Sequence, residues 1–236
     1  MLDPVDQAVI TQGLLAAARE MGVKLVRSAY SPVVREANDC SAALLDPQGN
    51  VVAQAELIPL QLGPIGTTFR PCAEQYPVNE LVEGDFYINN DPYQGGQHVP
   101  DVFLFSPIFF EGELMGFSAT VAHHLDLGGG APGLNPDATD VHQEGIIFPP
   151  SRLNAKRDWN GGACERLVRA NVRVPHQTIG DFNAQFAANG IGARRVGELC
   201  ARFGAKTVAA AMSALLDYSE RRMRAAIAQT PNGVYL

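Results

Sequence analysis

The chain has 236 residues, 46% of them apolar and 18% charged, with a formal net charge of −7 at pH 7. That is enough apolar material to bury a sizeable core, and it excludes wholesale disorder. The negative balance, with no basic patch interleaved with aromatics, removes any electrostatic reason to bind nucleic acid or an anionic membrane.

The N-terminus, Met1-Leu2-Asp3-Pro4, is acidic where a secretory leader would be basic, and no apolar run approaches the about 18 residues of a membrane span. A soluble, cytoplasmic chain is expected. Cys40, Cys72, Cys164 and Cys200 lie far apart with no C-x-x-C, so they read as reduced, mostly buried thiols.

In chain order, Asp3 is positioned as an N-cap with Pro4 at the first helical position, and apolar residues from Val5 to Val26 recur at helical spacing. This predicts a long amphipathic helix over residues 1–30, weakened at Gly22 and ended by Ser31-Pro32. Ala42 to Leu45, the turn Asp46 to Asn50, and Val51 to Ala55 have the composition of a β-hairpin. Asp39 lies just before its first strand and on local grounds reads as a capping or turn residue. Ile58 to Gly66 is apolar and punctuated by prolines and glycines. Thr67 to Tyr76 predicts a short helix, and Phe86-Tyr87-Ile88 a short strand.

The central stretch runs from Asn89 to Asp101, where Pro92, Gly95, Gly96 and Pro100 exclude a helix, so His98 and Asp101 sit on irregular or extended backbone. The apolar runs Val102 to Phe110 and Leu114 to Ala122, separated by Glu111-Gly112-Glu113, predict a second hairpin. Asp101 and His123 are equidistant from Gly112. A turn centred there sets them opposite one another, with side-chain origins about 5 Å apart, and the preceding loop folds His98 over the same end. Imidazole nitrogen and carboxylate oxygen converging on a point form a ligand set for Zn, Mn or Fe. The alternative keeps His98 and Asp101 as hydrogen-bonding loop residues and His123 as a histidine satisfied at a strand end.

Gly128 to Gly133 is a permissive loop that lacks the strand-to-helix context of a dinucleotide motif and the Gly-Lys-Ser/Thr of a P-loop, and no phosphate-binding motif occurs elsewhere. His142 and Glu144 read equally as ligand-orienting or substrate groups and as ordinary loop residues; His176 is assigned no role. From Gly180 the texture becomes helical. Asp181 is expected to cap a helix that is interrupted near Gly190 and Gly192 and closed by Gly204. Lys206 to Ala228 is strongly helix-forming, with Val208, Met212, Leu215, Leu216, Tyr218, Met223 and Ile227 as a core or partner-facing stripe. Pro231 to Leu236 reads as a turn and the start of a strand, as in the front part of a longer chain.

The expected fold class is therefore α+β. Antiparallel β-hairpins and glycine- and proline-rich loops fill the first two thirds, and long amphipathic helices occupy the N-terminus and the last third. A single metal-binding domain is expected over 1–236, with a helix at 1–30, a β and loop region carrying the metal site at 31–180, and a helical region at 181–230.

Several segments, in order, resemble one family: Asp39-Cys40-Ser41 with Leu45-Asp46; Gly84-Asp85 with Asn90-Asp91-Pro92-Tyr93-Gln94-Gly95-Gly96-Gln97-His98-Val99-Pro100-Asp101; His123-His124-Leu125-Asp126-Leu127-Gly128-Gly129; Glu144-Gly145 with Pro149-Pro150; and Gly180-Asp181 with Ala184-Gln185. The chain resembles the hydantoinase B/oxoprolinase family, the β-type subunits of ATP-dependent hydantoinases, 5-oxoprolinase and caprolactamase and the equivalent subunit of acetone and acetophenone carboxylases. The resemblance covers nearly the whole chain and corresponds to the N-terminal part of the longer family proteins.

It implies one divalent metal, Zn first with Mn or Fe as alternatives, held by Asp39, His98, Asp101 and His123, and so reverses the local reading of Asp39. Cys40 stands where relatives often carry phenylalanine, which alters the packing beside that ligand. His124, Asp126 and Asp91 become candidates for orienting the ligands, with His124 or Asp126 moving protons as catalytic residues. The resemblance further implies a hydantoinase A-type partner that binds ATP and phosphorylates the substrate, giving a hetero-oligomer. The reaction implied is hydrolysis of a phosphate-activated cyclic amide to a ring-opened amino acid. ATP-dependent ketone carboxylation at the same site and a non-catalytic scaffold subunit are the alternatives.

Overall fold

A computed structural model describes residues 2–234. Asp3 caps the first helix as its sequence position demands: its carboxylate accepts from the Val5 and Asp6 amides, and Pro4 begins α1 (Pro4–Ser28). Ser31-Pro32, expected to stop that helix, also starts another, because the Ser31 hydroxyl accepts from the Val34 amide and caps the single turn of α2 (Pro32–Arg35). Gly22 is no weak point. A Cβ there would lie 2.9 Å from Ala55 Cβ, so this glycine provides close packing.

The first hairpin is β1 (Cys40–Leu45) and β2 (Val51–Gln54), followed by the short α3 (Pro59–Leu62) and by α4 (Ile65–Gln75). Next come β3 (Asp85–Asn89), β4 (Asp101–Phe110) and β5 (Glu113–His123). β6 (Ser151–Asn154) was not foreseen in the sequence; Arg152 and Asn154 fasten it to Asp85 on β3. The two predicted hairpins join along β1–β5 into one six-stranded sheet of order β2-β1-β5-β4-β3-β6, antiparallel throughout.

The central hairpin reaches the expected register by an unexpected route. Its turn is only Glu111 and Gly112, both with positive φ (50° and 85°), so Phe110 faces Glu113. A bulge at Met115, opposite the step from Ile108 to Phe109, restores the missing residue, and from there the ladder runs to Asp101 opposite His123. Gly116 follows the bulge at φ 143°, where a Cβ would collide with the Leu45 carbonyl oxygen.

Three further helices complete the chain: α5 (Ala163–Asn171), α6 (Pro175–Phe203) and α7 (Ala205–Ile227). α5 escaped the sequence reading because it starts at Gly162 with no side-chain cap; Trp159, buried against Phe182 at 4.6 Å, fixes the turn before it. α6 corrects two expectations. It starts at Pro175 and runs unbroken past Gly190 and Gly192, and Asp181 lies inside it, where its Oδ1 accepts from the Tyr30 and Ser31 amides. The α7 stripe is split: Val208 and Met212 are buried, while Tyr218, Met223 and Ile227 are exposed.

The strand pleat divides the core by side. Ala42, Leu44 and Ala122 pack with α1 and α6, and Val102 and Leu104 with Val168 of α5 and Phe182 of α6. Ala43, Tyr87, Phe103, Phe105, Phe117 and Val121 face the opposite way, where Phe69 of α4 meets Phe105 and Phe117 edge-on at 5.3 and 4.7 Å. Cys40, Cys72 and Cys200 are free and buried, and Cys164 is free and half-buried. Among the described residues no single helix is long and apolar enough to cross a membrane. Tyr235 and Leu236, part of the expected terminal strand, lie outside the described residues.

Candidate metal centre

Three strand ends meet at one margin of the sheet: the start of β1, the start of β4 and the end of β5. Asp101 and His123 face one another across the β4–β5 ladder, and the His123 amide donates to the Asp39 carbonyl at 3.0 Å, bringing the residue before β1 alongside. Asp101 and His123 have the parity of Phe103 and Val121, so their side chains lie on the α4 side of the sheet. The loop that delivers His98 is pinned at several points. The Asn90 carboxamide donates to the Val99 and Ile146 carbonyls and accepts from the Phe148 amide, Asn89 donates to Thr68 and Gln94, and the Glu144 carboxylate accepts from the Val99 amide.

His98 Nε2 and His123 Nδ1 converge on a single atom, Asp101 Oδ1, at 3.1 and 3.3 Å. Ligand atoms of these residues all lie within 4.8 Å of one another. A tetrahedral ion with bonds of about 2.0–2.1 Å has ligand–ligand edges of about 3.3 Å, so the donor spacing and the N/O chemistry suit a divalent transition ion. Asp101 and His123 are buried, while the His98 side chain is 30% exposed and marks the open side.

Asp39 joins this group through an intermediary. Gln61 of α3 donates from Nε2 to Asp39 Oδ1 at 2.8 Å and to Asp101 Oδ1 at 3.4 Å. Burial pushes the Asp101 carboxyl upward, but hydrogen bonds and charge from His123 and His98 prevail and bring its pKa down to about 2. For Asp39, burial and the neighbouring Asp101 charge outweigh the two histidines, and its pKa is raised. Burial works against a charged His98, yet Asp101, Glu144 and Asp39 together hold its pKa above the ordinary value.

His124 and Asp126 are not brought to this cluster. His124 has the opposite parity, is 1% exposed, and lies over the Phe182 ring at 4.1 Å with Nε2 on Gln185 Oε1 at 3.0 Å. Because Gln185 Nε2 donates to the Val102 carbonyl, its Oε1 faces the histidine, and His124 Nε2 carries the proton. Burial lowers the His124 pKa and keeps the ring neutral. Asp126 accepts from the Gly128 and Arg173 amides and pairs with the Arg173 guanidinium at 2.8 Å, fastening the start of α6. Asp91 caps the turn Pro92–Gln94 through the Tyr93 amide, His142 lies in the turn Val141–Gln143, and His176 packs edge-on against Tyr30.

Comparison with known proteins decides the family. The family model described as hydantoinase B/oxoprolinase matches residues 3–236. The chain belongs to the hydantoinase B/oxoprolinase family. Within it, the chain is 34% identical to the beta subunit of caprolactamase from Pseudomonas jessenii, covering 99% of this chain and 40% of that protein. A protein of Pseudomonas sp. (strain NS671), provisionally named as the B component of a D-/L-hydantoinase, is 38% identical over the same shares of the two chains. The crystal structure of the ATP-dependent caprolactamase from Pseudomonas jessenii superposes with a TM-score of 0.89, over 99% of this chain and 40% of that one. The nucleotide-free structure of acetone carboxylase, 22% identical, shares the fold at a TM-score of 0.78 over 90% of this chain and 28% of that one. The chain thus spans about 40% of the length of the curated relatives it matches first.

Gln61 escaped the sequence reading, which left the role of Glu144 open. Gln61 carried a signal, a lone amide in the apolar run Ile58-Pro59-Leu60-Gln61-Leu62. The support that Glu144 gives the His98 loop depends on a contact between residues far apart in sequence, which the chain order does not display.

Proposed function

We propose that this chain is the metal-binding, catalytic subunit of an ATP-dependent enzyme that hydrolyses a phosphate-activated cyclic amide. The observation that carries the proposal is the convergence of His98 Nε2 and His123 Nδ1 on Asp101 Oδ1 at a partly open sheet margin. Asp39, His98, Asp101 and His123 would hold one divalent ion, Zn first and Mn or Fe as alternatives. Such an ion, when bound, lowers the pKa of water and polarises a substrate oxygen.

The chain's own residues define the rest. Asp101 stays ionised far below neutral pH and supplies a fixed negative oxygen between the two imidazoles. His98, the most exposed of the three, is the group an incoming ring meets first. His124 and Asp126 act by position: the first packs β5 against α6, and the second holds the start of α6. Activation by ATP falls to a hydantoinase A-type partner in a hetero-oligomer, in line with the absence of a phosphate-binding motif in this sequence and with the names of the relatives, which describe components of larger enzymes. A cytoplasmic site of action, where ATP is supplied, belongs to the same proposal.

The test is metal analysis of the purified chain together with ring-opening assays of the complex co-expressed with its partner and ATP. About one divalent ion per chain is expected in wild type and none in the His98→Ala/Asp101→Ala double variant. Ring opening should need ATP but not bicarbonate. Bicarbonate-dependent consumption of a ketone would replace the hydrolase reading with the carboxylase one, and a metal-free wild type supporting full activity would leave only a scaffold.

A further inference from the structure

We propose that Gln61 is a positioning residue that sets the carboxylates of Asp39 and Asp101 for metal capture, an inference that rests on the metal reading above. Gln61 is 2% exposed, and its Nε2 reaches both acids, at 2.8 Å for Asp39 Oδ1 and 3.4 Å for Asp101 Oδ1. Both contacts require a donor, which fixes the amide orientation: the flipped amide would press Oε1 against two carboxylates. The orientation adopted leaves Gln61 Oε1 buried with no hydrogen-bond partner. The unpaired carbonyl is a cost that the two hydrogen bonds from Nε2 to the carboxylates offset, so the orientation of the side chain is set by the two acids it serves.

The backbone beneath Gln61 is anchored to the segments it serves. The Ile58 carbonyl, one turn earlier, accepts from the Ser41 hydroxyl on β1 at 3.1 Å, so α3 is tied to the strand that follows Asp39. On the other side, Gln97 Nε2 donates to the Leu60 carbonyl at 2.9 Å, tying α3 to the loop that carries His98. α3 therefore spans the two segments whose ligands come from outside the β4–β5 ladder. Asp39 does not belong to the close group formed by His98, Asp101 and His123, and Gln61 is the side chain that links it to that group. The amide occupies only Oδ1 of Asp39, which leaves the second carboxylate oxygen for a cation.

Gln61→Leu removes the amide at similar bulk, and Gln61→Glu keeps the shape but replaces the donor by a third acid. Gln61→Leu is expected to weaken Co2+ binding to the 236-residue chain about 10- to 100-fold in chelator competition, and both variants to change the visible absorption of the Co2+-loaded protein. Circular dichroism and thermal melting verify that the variants are folded. A second measurement needs no variant: in 15N-labelled wild type, the Gln61 carboxamide signals should move when Zn2+ is added. Wild-type Co2+ affinity and spectrum in folded variants, or a Gln61 signal that ignores Zn2+, would overturn the inference while leaving the metal reading intact. A wild type that binds neither ion would remove that reading, and this inference with it.

Discussion

The Asp126 carboxylate shows how side chains divide labour in this protein. It is 5% exposed and satisfies the Gly128 amide in its own turn and the amide and guanidinium of Arg173, which leads into α6. Asp126→Ala should therefore cost about 1.5–3 kcal/mol of stability, the range for hydrogen bonds to a charged group, seen as a lowered denaturation midpoint. Metal content should stay at the wild-type level. The reverse pattern, full stability with turnover abolished, would return Asp126 to a proton-moving role. Residues of this kind explain how much of the site was legible in the sequence. The histidines and acids announced themselves by type and spacing, but a carboxylate that ligates and one that ties down a helix look alike until the fold gives each its neighbours. Gln61 was harder still, because an amide inside an apolar run reads as an interruption of the pattern.

Register is where β4 and β5 place the site. The expected pairing of Asp101 with His123 holds although the assumed turn was one residue too long, because the Met115 bulge makes up the difference. A bulged residue has no partner, so its removal leaves the ladder beyond it unmoved, whereas removing a paired residue turns every later side chain to the other face. Deleting Met115 should cost about 2–5 kcal/mol for one lost buried side chain yet keep metal binding. Deleting Ala119, which pairs with Phe105, should set His124 opposite Asp101 and abolish it. Metal analysis of the folded fractions decides; retention in both deletions would refute the register argument. Helices were legible where caps were local, as with Asp3 and Pro4 on α1. They were misplaced where a cap served another element, as Asp181 serves the Tyr30–Ser31 backbone, or where no capping side chain exists, as in α5.

Across the whole molecule, the candidate ligands come from three separate stretches of chain: the lead into β1, the loop after β3, and the β4–β5 hairpin. An ion held by all of them binds only the folded state and stabilises it by mass action, about 2.7 kcal/mol at a free concentration one hundred times the dissociation constant. Zn2+ should thus raise the melting temperature of wild type and EDTA lower it, with the His98→Ala/Asp101→Ala variant indifferent to both. A wild-type melting curve that ignores Zn2+ would count against a folded-state site. The pleat that sorts the core has one more outcome. His123 and His124 are adjacent in the gene, yet one belongs to the candidate site and the other to the packing under α6. Randomising the two codons together should yield two unrelated kinds of failure, clones that fold without metal and clones that do not fold. Tolerance at one codon therefore carries no information about the next.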